Sequence, residues 1–251
     1  MKKGIIKLVD GVSTFLFYHS TNLRKTFYEL EKINFKESAE FICQHGGSAT
    51  LLEKKSVFWK HAIDQISDTG LVLEFGVFQG NSINFFSQIL AKKSDSRKIY
   101  GFDSFEGLSE DWAGTHMLKS TFDQKGRLPK VNENAQLIKG WIDKTLPPFL
   151  NEHKGSIAFM HIDMDTYTPT KVIFENTVDL LKPGAIIVFD ELLGYSGWKN
   201  GEFKALTEII SPVWDYQYIS FCEPKGKTRH KSKYVRATIK ITGRKTTSNN
   251  A

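Results

Sequence analysis

The sequence predicts an α/β protein, a doubly wound and mostly parallel sheet preceded by a helical region. Three observations carry that expectation. From Leu71 onward, apolar runs of strand length alternate with helix-like segments, which is the signature of βαβ units. The first 66 residues hold no strong strand run. Two late apolar segments, separated by a basic stretch, look like an antiparallel pair that makes the sheet mixed. The expected architecture is therefore Rossmann-like, with a C-terminal antiparallel strand pair and an N-terminal helical region.

The elements follow in order. "SVFWKHAIDQI" (Ser56 to Ile66) has helical apolar spacing and leads into the first strand, "LVLEFGVF". The helix "NSINFFSQILAKKS" separates that strand from "KIYGFD". "AQLIKGW" and "IAFMHIDMD" are the third and fourth strands, and "AIIVFDEL" is the fifth. The helix "TPTKVIFENTVDLL" ends at Lys182–Pro183–Gly184, where proline and glycine break it. "EFKALTEII" is a further helix, followed by the strands "YQYISFC" and "YVRATIKI". The stretch from Ser104 to Pro148 exceeds an ordinary crossover and reads as a lid or long functional loop. The expected division is a helical region over 1–66, a catalytic domain over 67–242 and a disordered tail over 243–251.

The chain has 251 residues, 40% hydrophobic and 25% charged, so it can bury a core and is not disordered by composition. Its two cysteines, Cys43 and Cys222, do not make a disulfide framework and suit a reducing cytoplasm. The N-terminus starts basic and turns apolar, but Lys7 and Asp10 interrupt the run and no small-residue cleavage site follows. The run is also shorter than the ~20 residues a bilayer span needs. An amphipathic helix packed on protein is expected there, with membrane-surface contact as the secondary reading. The net charge of +6 lies largely in Glu223–Arg236 and in the tail. It reads as a solvated loop rather than a nucleic-acid surface, because no aromatic-interleaved signature accompanies it.

Ligands of open parallel sheets bind beyond the carboxyl ends of the strands. Those ends carry Glu74, Gly76 and Gly80; Asp103 and Ser104; Gly140 and Trp141; Asp163 and Asp165; and Asp190 and Glu191. Capping alone does not account for polar groups at five successive ends. The glycines are spaced G-x-x-x-G, which is neither the dinucleotide fingerprint nor a Walker loop. A glycine turn lets a ligand approach the backbone, Asp103 is placed for ribose hydroxyls, and Glu74 suits a cationic ligand. S-adenosylmethionine combines a ribose with a positive charge. Asp163, Asp190 and Glu191 end adjacent strands and would repel one another without a cation; with oxygen-only ligands, Mg²⁺ is the expected ion. His161 is expected to be packed and hydrogen-bonded, and His116 could reach the cleft from the long loop.

"LEFGVFQGNS", "YGFDSFEGL", "HIDMDTYTPT" and "LKPGAIIVFDE" together resemble the macrocin O-methyltransferase family over roughly Ser56 to Ile210. These are metal-dependent class I methyltransferases that act on sugar hydroxyls of antibiotics. The resemblance implies that Gly76 and Gly80 line the methionine part of the cofactor, with Glu74 in the same loop. It implies Asp103 at the ribose, Trp141 near the adenine, and a metal on Asp163, Asp190 and Glu191. The lysine base of the catechol-type relatives is missing, since Thr166 stands three residues after Asp163. Asp165 is the expected base in its place.

The expected function is Mg²⁺-dependent methyl transfer from S-adenosylmethionine to a hydroxyl, most plausibly of a sugar in a natural product or glycan. A catechol-type acceptor is the second choice. Metal-dependent glycosyl transfer through the "IDMD" acids is the rival, but it leaves the glycine turn and Asp103 unexplained. The expected partners are a small-molecule or glycan acceptor and no nucleic acid; self-association stays open.

Overall fold

The computed structural model describes residues 22–67, 69–223 and 234–246. The N-terminal apolar segment, most of the basic loop and the last five residues lie outside them. The described chain contains an eight-stranded mixed sheet in the order β1-β7-β8-β6-β5-β2-β3-β4. Its strands are β1 (Thr50–Leu52), β2 (Leu71–Phe75), β3 (Ile99–Asp103), β4 (Ala135–Lys139), β5 (Ile157–Ile162), β6 (Ile186–Leu193), β7 (Trp214–Cys222) and β8 (Val235–Arg244). Only β8 runs antiparallel to its neighbours, β6 and β7. The doubly wound sheet with its C-terminal antiparallel pair is therefore the fold that the sequence predicted.

Two boundaries differ from expectation. β1 lies within the N-terminal 66 residues yet pairs with β7, so the sheet begins earlier than the apolar runs indicated. Three residues carry too weak a pattern to announce a strand. β8 extends to Arg244, two residues into the expected tail, and Lys245 N–H donates back to Val213.

Helices cover both faces. α2 (Lys55–Asp64) and α3 (Asn81–Lys92) pack Phe58, Trp59, Ile83 and Phe86 against Val72, Ile99, Phe159 and Val188. α4 (Ile142–Glu152), α5 (Tyr167–Thr177) and the short α6 (Glu202–Ala205) cover the other face, where Leu146, Phe149, Ile173 and Phe174 meet Leu73, Phe75, Met160 and Ile187. α1 (Asn22–His45) precedes β1. Successive strand residues point to opposite faces, so Val72 and Leu73 enter different cores. The same alternation governs the charged residues further along the strands.

The sheet winds in opposite directions from β2 and β5, which are adjacent and parallel. That switch point opens a crevice at the carboxyl edge. Residues 104–134, between β3 and β4, form no helix or strand and close over it.

Candidate active site

A cleft of about 510 Å³ occupies the carboxyl edge of the sheet, a size that suits a small ligand. One half is built on β2, β3 and β4. Gly76, with φ +86°, takes β2 past the end of β5; a Cβ there would lie 1.8 Å from the Asp163 carbonyl oxygen. Asp103 Oδ2 accepts hydrogen bonds from the backbone N–H of Val77 and Phe78, both at 2.8 Å, and Oδ1 accepts from Phe105 at 2.6 Å. Asp103 therefore shapes the glycine turn as well as facing the cleft. Ser104 and Trp141 also line it, and Trp141 is partly exposed at the start of α4. Phe78 and Phe122 meet edge-to-face at 5.5 Å on the same wall.

Two predicted residues stand elsewhere. Gly80 precedes α3 with φ +79° and does not line the cleft. Glu74 is fully buried under α3, where it accepts a hydrogen bond from Ser82 Oγ at 2.9 Å. Its neighbour is a protein side chain rather than a ligand: His161 Nδ1 lies 3.6 Å from Glu74 Oε2. The physical reason is register, since Glu74 pairs with His161 across β2 and β5 and both face α2 and α3. His116 is exposed in the long loop and does not line the cleft.

The other half of the cleft gathers acids. β5 ends at Ile162, so Asp163 lies just beyond it, and Asp165 has a left-handed backbone with φ +62°. Asp163 joins two clusters whose ligand atoms lie within 4.8 Å of one another, one with His161 and Asp190 and one with Asp165 and Glu191. The expected Asp163–Asp190–Glu191 set is thus divided. β6 continues through Leu193, so Asp190 and Glu191 lie inside the strand, where its pairing with β8 is irregular between Phe189 and Leu193, and both line the cleft.

Asp190 is heavily paired. Its Oδ1 and Oδ2 accept from Arg236 Nε at 2.8 Å and Nη2 at 2.9 Å, and Oδ2 also accepts from Lys55 Nζ at 3.0 Å. His161 Nε2 lies 3.8 Å from Oδ1. Burial acts to raise the Asp190 pKa, but His161, Arg236 and Lys55 outweigh it and hold it well below the ordinary carboxylate value. Burial likewise acts to lower the His161 pKa, and Asp190 and Glu74 on its two sides raise it to about 10.

Glu191 has the opposite environment. Its Oε2 is buried without a hydrogen-bond partner, and burial with the charges of Asp190 and Asp163 drives its pKa well up. Asp165 is raised well above the ordinary value by burial and by Asp163 and Glu202. Asp163 rises to about 6 through burial and Asp190. Glu202, fully buried, accepts from Met164 N–H at 3.1 Å and rises to about 8 through burial and Asp163. A buried carboxylate oxygen without a donor, among repelling acids, fits a divalent cation. Trp112 and Tyr234 stack at 5.2 Å along the same side of the cleft, and Tyr195 meets Trp112 edge-on.

Sequence reasoning missed Lys55, Arg236 and Glu202. Arg236, counted both in the basic stretch and in the expected strand "YVRATIKI", is a buried residue of β8, and its pairing with Asp190 was not foreseen. The signal was its position between Val235 and Ala237, because a cation in an apolar strand implies a carboxylate partner. Lys55 precedes every recognised motif, and no local pattern marks it.

Residues 73–192 match the methyltransferase domain family. The chain is 27% identical over 143 residues to the 8-demethyl-8-(2,3-dimethoxy-α-L-rhamnosyl)-tetracenomycin-C 4'-O-methyltransferase of Streptomyces olivaceus. That match covers 49% of this chain and about half, 52%, of the relative. The fold is similar to that of the calicheamicin methyltransferase CalS11, with TM-score 0.56 and 22% identity over 74% of this chain and 77% of the other. It is also similar to the O-methyltransferase NovP, with TM-score 0.51 and 17% identity over 75% and 80% of the two chains. Among the described residues, no helix is long and apolar enough to cross a membrane.

Proposed function

Proceeding from a chain whose residues 73–192 match the methyltransferase domain family, we propose that it is an S-adenosylmethionine-dependent O-methyltransferase whose acceptor is a sugar hydroxyl. The observation that carries this reading is the division of one cleft into a glycine-turn half and an acid half. The bare backbone at Gly76, Asp103 and Ser104 at the end of β3, and Trp141 would bind the donor's methionine, ribose and adenine parts. Glu74 and Gly80 would act indirectly, by fixing the strand and the start of α3 that carry the turn. When bound, S-adenosylmethionine supplies a methyl group whose bond to sulfur breaks as the bond to the acceptor oxygen forms.

The acid group around Asp163, Asp190 and Glu191 would hold a divalent cation, and the all-oxygen donor set selects Mg²⁺. Such a cation supplies a positive charge that lowers the pKa of a hydroxyl. Asp165 would take the hydroxyl proton as the carbon–oxygen bond forms, as a carboxylate that lines the same cleft beside Asp163 and Glu191. Residues 104–134 would exclude water and align the acceptor, and alignment alone supplies much of such a rate. The Trp112–Tyr234 wall suits the apolar face of a sugar ring, and the relative from Streptomyces olivaceus is named for methylation of a rhamnosyl group.

The test is turnover with S-adenosylmethionine and a panel of deoxysugar glycosides, read as S-adenosylhomocysteine and methyl ether by mass spectrometry. Product should form with Mg²⁺ and disappear with excess chelator. A catechol methylated in preference to every sugar would reassign the acceptor, and undiminished turnover in chelator would remove the metal.

A further inference from the structure

We infer that Glu202, a buried carboxyl group outside the cleft, is a positioning residue for methyl transfer: it holds the peptide that joins Asp163 to Met164 and so sets the turn from which Asp163 and Asp165 enter the cleft. This rests on the methyltransferase reading above and deepens it. Glu202 lies beyond the matched segment, residues 73–192, and does not line the cleft.

Three observations carry the assignment. First, Glu202 is fully buried and its Oε2 has no hydrogen-bond partner. A carboxyl group buried in this way costs stability, so packing alone does not account for it. Second, its Oε1 accepts from the Met164 N–H at 3.1 Å. That N–H belongs to the planar peptide between Asp163 and Met164, so the hydrogen bond restrains the backbone on both sides of it, ψ of Asp163 and φ of Met164. Third, the turn is strained. β5 ends at Ile162, and Asp165 takes φ +62°, a left-handed conformation that persists where its surroundings impose it. Gly201, next to Glu202, packs against the same turn: a Cβ there would lie 3.4 Å from the Asp165 carbonyl oxygen.

Asp163 and Asp165 flank Met164, and both line the cleft. Rotation of the peptide between Asp163 and Met164 would carry the two carboxyl groups with it, and a misplacement of about 1 Å can cost ~10²-fold in rate. The role needs an acceptor oxygen at the reach of a glutamate side chain and does not need a charge. Glutamine supplies that oxygen at the same length. Aspartate keeps the charge but is one methylene shorter. A role as proton carrier, or as electrostatic partner of a cation, would reverse that ranking.

Glu202→Gln and Glu202→Asp are compared with the wild-type full chain, using S-adenosylmethionine, saturating Mg²⁺ and a deoxysugar glycoside that the wild type methylates. Glu202→Gln should stay within a few-fold of wild type. Glu202→Asp should lose ~10²-fold in kcat with the acceptor KM and the S-adenosylhomocysteine affinity unchanged, a split that a general loss of folding would not give. Exchange of the Met164 amide with solvent, followed by NMR on the ligand-free chain, should be slow in wild type and Glu202→Gln and faster in Glu202→Asp. If Glu202→Asp fails to fold, Glu202→Leu removes the same acceptor while filling the space. A Glu202→Gln variant as impaired as Glu202→Asp, or a variant without the acceptor that works like wild type, overturns the assignment. A wild-type chain with a protected Met164 amide that methylates no glycoside overturns the reading the role rests on, and the role with it, while the Glu202 contact stands.

Discussion

Asp190 and Glu191 are neighbours in sequence and share one strand, yet their carboxyl groups behave in opposite ways. Asp190 is met by Arg236, Lys55 and His161 and is held well below the ordinary carboxylate value. Glu191 has one oxygen without a donor and the other 3.9 Å from Arg236 Nη2, and is driven well up. The cleft therefore sets one well-paired acid beside an unbalanced acid group. The paired acid is structural in character. The unbalanced group stores repulsion that folding alone does not relieve, and perturbed carboxyls in a cleft mark a functional site.

The largest expected effect is at Asp165. Asp165→Asn should lower turnover by ~10²–10⁴-fold at saturating Mg²⁺ and acceptor, the usual contribution of a positioned base, with S-adenosylhomocysteine affinity unchanged. Turnover within a few-fold of wild type would remove Asp165 from the chemistry. At the paired Asp190 the effect should be on stability. Asp190→Asn leaves the buried Arg236 without its carboxylate partner, which costs about 3–5 kcal/mol. For a chain of this size that lowers the melting point by roughly 6–20 °C. Glu191→Gln, measured without added metal, should leave the melting point equal or raise it, because it removes one member of a repelling set. Equal losses in the two variants would erase the distinction between the two acids.

Much of this was legible in the sequence, and the illegible part has a physical cause. The βαβ alternation, the breaker at Pro183–Gly184 and the late strand pair announced the sheet. The acids at the strand ends announced the cleft, and Asp163, Asp165 and Glu191 meet there. How each acid is paired depends on where a strand stops and where its register breaks. β6 runs on to Leu193 with an irregular register beyond Phe189, whereas β5 stops at Ile162 and Asp163 and Asp165 leave the strand. Strand ends are the least certain feature of a pattern, and here one residue of register changes a charge from paired to unpaired. Glu74 illustrates the same point, because its partner His161 lies 87 positions away and is brought beside it only by the β2–β5 pairing. Lys55 and Arg236 were hidden for the same reason, since tertiary packing of α2 and β8 gives them their role.

The central claim, that the glycine-turn half of the cleft binds S-adenosylmethionine, is tested most directly by the melting point of the purified chain with the reaction product. At a concentration ~100-fold above Kd, S-adenosylhomocysteine should add about 2.7 kcal/mol of stability. That corresponds to a rise of roughly 5–11 °C for a chain of this length, and NADH at the same concentration should give none. A rise with NADH and none with S-adenosylhomocysteine would contradict the account.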